Sequence, residues 1–150
     1  MTSQRHRSAV IWSAPVGLRL GHVGHEAPIP VVFLEGEYDM ETVPEIDRFL
    51  RQTYGPFYHR CHQVFDLRGV TFIDSSFVSF IVALTRRLRA ERRELILTRP
   101  TGAVRRVLTL VGVPNLVQVY DSLDDAVSAV AYDRLPAIPP ALEPLQHAAP

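Results

Sequence analysis

The sequence has 150 residues, with 16 basic residues that are all arginine, 16 acidic residues and a formal net charge of zero at pH 7. The length indicates one domain, and the balanced charge argues against a nucleic-acid-binding protein, which usually carries a basic excess. The absence of lysine excludes Schiff-base chemistry and a phosphate-binding loop that depends on lysine. A single cysteine, Cys61, cannot form an internal disulfide bond, and this favours a cytoplasmic location.

The two ends of the chain differ in composition from its centre. Residues 1–15 predict a flexible leader, because their apolar stretch is too short for a signal peptide. Residues 133–150 are rich in proline, which lacks a backbone donor, and they predict a disordered tail. No apolar run reaches the length of a membrane span. We therefore expect one folded domain over residues 16–132 and no contact with a membrane.

The first half of this domain predicts two strands and a helix. Val16–Val23 alternates apolar with polar or small residues, and Val31–Leu34 is a second apolar run after a turn, so the pair predicts a hairpin. Thr42 and Glu45 have the spacing of a capping box, and Gly55 would end the helix that follows.

The second half predicts strands that alternate with helices. The predicted strands are Gln63–Leu67 with its continuation Val70–Ile73, Glu94–Thr98 and Leu116–Tyr120, and the predicted helices are 75–92, 102–111 and 123–132. Asp74 or Ser75 would be the N-cap of the longest helix. This order predicts an α/β fold, with a mixed β-sheet of four to five strands and about four helices packed against it. Right-handed crossovers would bring the loops before the helices to one end of the sheet.

Two groups of polar residues are candidates for a metal site or a binding site. One contains side chains of the types that bind zinc: His22, His25, His59, Cys61 and His62. With a single thiol and no Cys pair, this group is interpreted as a chance cluster, and we expect no metal. The other is the acidic run from Glu35 to Asp47, which contains no arginine and is typical of a solvated or partner-binding face. The chain also lacks the Gly-x-Ser-x-Gly motif of serine hydrolases.

Asp74-Ser75-Ser76 lies between an apolar strand and the long predicted helix, so its hydroxyls fall at a helix N-terminus. Capping explains one such residue but not the whole arrangement. The segment Val64–Ser76, which reads Val-Phe-Asp-Leu-Arg-Gly-Val-Thr-Phe-Ile-Asp-Ser-Ser, resembles the central motif of STAS domains, the anti-sigma-factor antagonists.

Two further segments share this resemblance, which extends from about residue 16 to residue 130. Leu34–Asp39, followed by Thr42-Val-Pro44, is similar to the family's strand that ends in Gly-x-x-Asp before the first helix. Leu108–Gly112 is similar to the family's Leu-x-x-x-Gly before the last strand. The joint occurrence of these segments in order is what makes the resemblance specific.

The resemblance implies a regulator without catalytic residues or cofactor that works by partner switching. The unphosphorylated protein would bind an anti-sigma factor that is a serine-protein kinase and so release a sigma factor, with a phosphatase to reverse the modification. The family's phosphorylated residue is the serine directly after Asp, which is Ser75 here, with Ser76 as the fallback. The implied partner-binding residues are Asp39, Asp74, Ser75, Ser76 and Phe77. No direct contact with nucleic acid is implied, and a homodimer is left open.

Phe77 departs from the family, which has glycine after Asp-Ser-Ser. Its bulk could obstruct the active site of a kinase. It could pack inward as the first core residue of the helix, or stay exposed as an interaction anchor. Two alternatives therefore stay open. One is a STAS scaffold that assembles with its own kind and is never phosphorylated. The other is a small phosphate-ester hydrolase that uses Asp39 and Asp74, which would need a deep cleft with converging carboxylates.

Overall fold

Six strands form one mixed β-sheet, ordered across the sheet as they are along the chain. The computed structural model describes residues 9–13, 16–24 and 29–131. The strands are β1 (Ala9–Ser13), β2 (Val16–Val23), β3 (Ile29–Tyr38), β4 (Gln63–Ile73), β5 (Leu95–Thr98) and β6 (Gln118–Tyr120). The helices are α1 (Val43–Tyr54), α2 (Ser75–Ala90), α3 (Gly102–Leu110) and α4 (Leu123–Ala131), with 3₁₀ turns at Tyr58–Arg60 and Val113–Asn115.

Strand direction follows the length of the connections. The first three strands pair antiparallel, and β3 to β6 pair parallel through the helical crossovers that parallel neighbours require. The predicted α/β fold with a mixed sheet and four helices is confirmed.

The structure adds one strand to the four or five that the sequence predicts. Ala9–Ser13 pairs with β2 at the edge of the sheet, within the segment predicted as a flexible leader. Its sequence, Ala-Val-Ile-Trp-Ser, is rich in the β-branched and aromatic residues that favour strands. The predicted proline-rich tail, residues 133–150, lies outside the described residues.

Apolar residues on the two faces of the sheet form two clusters. The larger cluster packs α1, α2 and α3 against one face through residues such as Ile46, Ile81 and Val104. The smaller cluster packs α4 against the other face through Ala126 and Val127. Because β3 and β4 lie in the middle of the sheet and are covered from both sides, most of their residues are apolar.

Strand β4 is continuous where the sequence predicts two pieces. Relative to β3 it contains an extra residue at two places, because Phe33 pairs with Asp66 but Glu35 pairs with Gly69, and a second shift follows Gly36. At Gly69 a Cβ atom would lie 2.7 Å from Cγ of Glu35 and 3.1 Å from the Leu34 carbonyl oxygen, so a larger residue there would require the Glu35 side chain and its surroundings to shift. These irregularities change which side chains point outward near the end of β4.

The carboxyl ends of β3 and β4 meet at one edge of the sheet. Tyr38 pairs with Ile73, and the backbone N–H of Asp74 donates to the Tyr38 carbonyl at 3.2 Å. Asp39 and Asp74 therefore occupy matching positions, each directly after its strand and before a helix. This brings the two sequence motifs together, as the predicted crossovers require.

Candidate functional site

Asp39 organises the turn between β3 and α1. Its Oδ1 accepts hydrogen bonds from the backbone N–H groups of Glu41 at 2.9 Å and Thr42 at 3.1 Å. The Thr42 hydroxyl accepts from the Asp39 N–H at 2.9 Å and donates to the Glu37 carbonyl at 2.8 Å. The predicted capping box is therefore wrong, because the Thr42 side chain bonds back to the preceding strand and Glu45 pairs with Arg48.

The turn also sets the ionisation of Asp39. The N–H groups of Glu41 and Thr42 stabilise the carboxylate, and this lowers the pKa of Asp39 below its ordinary value of 3.8. A depressed pKa means that the carboxylate stabilises the fold above its unfolded pKa and that this contribution is lost as the pH falls through the folded value.

We expect Asp39→Asn to reduce the dependence of stability on pH. Between about pH 6 and about pH 3 the wild-type protein should lose more unfolding free energy than the variant, since asparagine keeps an acceptor oxygen but does not titrate. Urea unfolding at both pH values measures this. Glu37→Gln is the control, because Glu37 is an exposed acid of the same edge without these backbone bonds. Equal losses in wild type and Asp39→Asn would contradict the prediction.

Asp74 is the N-cap of α2, and it is one of the two residues, Asp74 and Ser75, that the sequence predicts for this position. Its backbone is extended, and its Oδ1 accepts from the N–H groups of Ser76 at 2.9 Å and Phe77 at 3.4 Å. The Ser76 hydroxyl also donates to this oxygen. Both carboxylates of the site thus hold backbone donors at a helix start or turn.

The two serines differ in their surroundings. Ser75 is the first residue of α2 and is exposed, and its hydroxyl makes no hydrogen bond with the part of the chain that the structure describes. Ser76 is half-buried, and its hydroxyl is held by Asp74. Of the two, Ser75 offers the hydroxyl that a second protein can reach.

The structure corrects the assignment of Phe77 as a partner-binding residue. Its side chain is 0 % exposed and packs against Tyr38, with ring centroids 5.9 Å apart. Burial also raises the pKa of Tyr38, whose hydroxyl donates to the Gly17 carbonyl at 3.3 Å. Phe77 is therefore the first core residue of α2 and joins the start of this helix to the end of β3.

Two exposed apolar residues of this edge were missed by sequence reasoning. Met40, in the turn after β3, is 74 % exposed, and Phe72, next to the end of β4, is 49 % exposed. The apolar run from Val70 to Ile73 predicts a buried strand, so nothing in it marks Phe72 as an outward residue. Met40 lies inside the acidic run, and the charge of that run predicts a solvated or partner-binding face without indicating an apolar residue in it.

The two segments at the carboxyl ends of β3 and β4 carry only acidic charge. The described segments 35–41 and 71–76 contain no arginine and these five acids: Glu35, Glu37, Asp39, Glu41 and Asp74. Glu35, Glu37 and Glu41 are exposed, whereas Oδ1 of Asp39 and Oδ1 of Asp74 accept backbone donors. The arrangement combines a free serine hydroxyl, exposed apolar side chains and acidic charge.

A groove of about 500 Å³ lies on the other side of the sheet, next to α4. Its floor includes an ion pair in which the buried Asp66 accepts from Arg99 at 2.7 and 3.1 Å. Its charged lining residues balance in sign: Arg19, Arg68 and Arg99 against Glu35, Asp66 and Asp124. Asp39, Asp74 and Ser75 do not line it, so it gives no support to a hydrolase that uses those carboxylates.

The candidate zinc ligands that the structure describes do not converge on one point, and two of them make other contacts. Nδ1 of His59 lies 3.4 Å from Nη2 of Arg87, and Nδ1 of His62 accepts a hydrogen bond from the Glu94 backbone N–H at 3.0 Å. Over the described residues, no three His, Cys, Asp or Glu side chains come together as a metal site; His25 lies outside those residues. None of the described helices has the length and apolar composition needed to cross a bilayer.

A family model described as the STAS domain matches residues 23–126, which is more than half of the chain. Comparison with curated proteins finds no match. Solved structures with similar folds include an anti-sigma factor antagonist from Mycobacterium paratuberculosis, which is 27 % identical. This match covers 80 % of the present chain and 99 % of that chain, with a TM-score of 0.60.

Two more distant structures show the shared fold. SpoIIAA, a Bacillus cell fate determinant solved in its phosphorylated form, is 24 % identical with a TM-score of 0.53, over 75 % of the present chain and 98 % of its own. A STAS domain protein from Planctomyces limnophilus is 20 % identical with a TM-score of 0.57. The match covers 76 % of the present chain and 97 % of that chain.

Proposed function

The chain belongs to the STAS domain family, and we propose that it is an anti-sigma-factor antagonist that works by partner switching. In its unphosphorylated form it binds an anti-sigma factor that is a serine-protein kinase, and a sigma factor is released. Phosphorylation of Ser75 breaks this complex, and a phosphatase restores it. The protein acts in the cytoplasm as a binding module, without a cofactor and without direct contact with nucleic acid.

The observation that carries the proposal is the difference between the two serines. Ser75 is exposed and its hydroxyl is free of bonds among the described residues, whereas the Ser76 hydroxyl is held by Asp74. Phosphoryl transfer needs the accepting oxygen in line with the γ-phosphate, so an accessible hydroxyl is the first requirement. In support of this proposal, a protein with a similar fold has been solved in a phosphorylated form.

A phosphate on Ser75 is compatible with the folded state. It would add about −1.5 to −2 charges at the N-terminus of α2, where the helix dipole favours an anion. The neighbouring N–H groups of Ser76 and Phe77 are already taken by Asp74, so the phosphate would face outward. The modification would therefore change the surface and leave the fold intact.

The same charge explains release of the partner. A kinase that phosphorylates Ser75 must bring its nucleotide phosphates against this residue. After transfer, the phosphoserine dianion faces the remaining nucleotide phosphates and lies beside the carboxylates of Asp39 and Asp74. Burying these like charges together costs free energy that the unmodified complex does not pay.

The alternative functions differ in what they require. Because Phe77 is buried, it does not stand in the way of a kinase, which removes the reason for preferring a scaffold that is never phosphorylated. A phosphate-ester hydrolase would need a deep cleft in which Asp39 and Asp74 converge, and neither residue lines the groove next to α4. Neither alternative has a specific observation in its favour.

We expect Ser75→Ala to abolish phosphorylation. Each anti-sigma-factor kinase encoded in the same genome is purified, mixed with ATP and the protein, and the phosphate is located by mass spectrometry. Wild type and Ser76→Ala should both carry one phosphate on Ser75, and Ser75→Ala should carry none.

Any other result of this experiment would contradict a specific part of the proposal. Phosphate on Ser76 alone would overturn the assignment of the site to Ser75. A kinase that binds the protein tightly without modifying either serine would overturn the phosphorylation switch and favour the scaffold. Absence of binding to every kinase would overturn the proposed partner.

A further inference from the structure

Met40 and Phe72 place large apolar surface at the edge of the sheet where Ser75 begins α2. Phe72 is three residues before Ser75 along the chain, and Met40 follows Asp39, whose strand pairs with that of Asp74. They are 74 % and 49 % exposed. Single exposed apolar residues are normal on protein surfaces, but two at one short edge need an explanation.

Phe72 faces outward because of an irregularity in β4. Val70 pairs with Gly36 and Phe72 pairs with Glu37, so Thr71 is an extra residue in β4. Strict alternation after the buried Val70 would turn Phe72 inward and the next residue outward. The extra residue reverses this, so that Ile73 enters the core and Phe72 is exposed. The extra residue in β4 is therefore the reason that the phenyl ring of Phe72 faces solvent.

Met40 is presented by a turn that is held on both sides. The N–H groups of Glu41 and Thr42 donate to the Asp39 carboxylate, and the Thr42 hydroxyl bonds to the backbone of Asp39 and Glu37. Little backbone freedom is left to lose when a partner covers this turn, and a pre-organised contact binds more tightly for the same area.

Charge defines the rest of the surface. Glu37 and Glu41 are exposed and lie on either side of Met40 along the chain. Asp39 and Asp74 are less exposed than these glutamates, and Oδ1 of each already accepts backbone donors. The most exposed charges beside Met40 are therefore those of Glu37 and Glu41.

We propose that Met40 and Phe72 are the apolar anchors of the partner complex, and this inference rests on the proposed function. The anti-sigma-factor kinase presents an apolar recess that covers both side chains, with arginine or lysine residues at its rim opposite Glu37 and Glu41. Burial of the two anchors supplies most of the affinity, and the glutamates set the speed and orientation of association.

The test uses the kinase that binds the wild-type chain in the phosphorylation experiment. Met40→Ala and Phe72→Ala should each weaken binding by at least about tenfold, through faster dissociation measured by surface plasmon resonance. The matched controls are Leu110→Ala and Phe57→Ala, which remove side chains that are 78 % and 45 % exposed but lie outside this edge. Both controls should bind like wild type, and circular dichroism confirms that all four variants are folded.

The glutamates are tested by kinetics. Glu37→Gln combined with Glu41→Gln should lower the association rate and flatten its dependence on salt, with a smaller effect on dissociation. An unchanged salt dependence would overturn the basic rim.

The outcomes separate this inference from the function on which it rests. If a kinase binds wild type, Met40→Ala and Phe72→Ala equally well, the anchors are wrong and the proposed function stands. If the two controls weaken binding as much as the anchor variants, the docking surface is wrong. If no kinase binds the wild-type chain, the proposed function and the inference both fail.

Discussion

Phe77→Ala is expected to lower the free energy of unfolding by about 3–5 kcal/mol, the usual cost of removing a fully buried phenyl ring. Phe77 is 0 % exposed, packs against Tyr38 and belongs to the larger core cluster. The ring also lies at the first turn of α2, so its loss loosens the link between this helix and the end of β3. Urea unfolding followed by circular dichroism measures the effect.

Phe72→Ala is the matched control for this change. It removes the same ring from a side chain that is 49 % exposed, and its cost should stay below about 1 kcal/mol. Equal losses in the two variants would show that Phe77 does not contribute to the core as the structure places it.

Glycine at position 77, the residue that the family resemblance leads one to expect, should be worse than alanine. Phe77→Gly adds the backbone entropy cost of a helical glycine, up to about 1 kcal/mol, to the loss of the ring. Phe77 is therefore part of this core, and the glycine implied by the family resemblance would leave its space unfilled.

Ser75→Asp is expected to weaken binding to the kinase by at least about tenfold, because it places a permanent negative charge where the nucleotide phosphates must approach. An acidic residue in the first turn of a helix is favourable, so the unfolding free energy should change by less than about 1 kcal/mol. Titration calorimetry with the kinase and nucleotide measures the first effect, and urea unfolding measures the second.

Ser79→Asp is the control, since it adds the same charge on an exposed residue one turn further along α2. It should bind more tightly than Ser75→Asp and close to wild type. Wild-type affinity in Ser75→Asp would contradict the release mechanism, and unfolding of Ser75→Asp would show that the site cannot accept charge.

Most elements could be predicted because their signals are local. Alternation predicts β2, and apolar residues at helical spacing with Asp74 in front predict α2. Thr42 is the N-cap residue of α1 as predicted, but its hydroxyl bonds to Asp39 and Glu37 rather than to the helix N-terminus. The sequence could not predict this, because only the packing of the turn decides between the two sets of partners.

The candidate site shows the same division. The motif identified Asp74 and Ser75, and the position of Ser75 at a helix start follows from the strand and helix patterns around it. The roles of its neighbours could not be predicted. Phe77 could lie inside or outside by spacing alone, and Phe72 is exposed only because Thr71 shifts the pairing of β4 with a strand that lies far away in the sequence.

The sequence by itself determined the α/β fold, the family and the serine at the start of α2, because periodicity, capping and motif order depend on residues close together in the chain. Only the tertiary structure decided that the Ser75 hydroxyl is free among the described residues while that of Ser76 is held, that Phe77 is core, and that Met40 and Phe72 are exposed. These outcomes depend on which strand pairs with β4, in which register, and on which side chains compete for the same donors. Such choices are made between segments that meet only when the chain has folded.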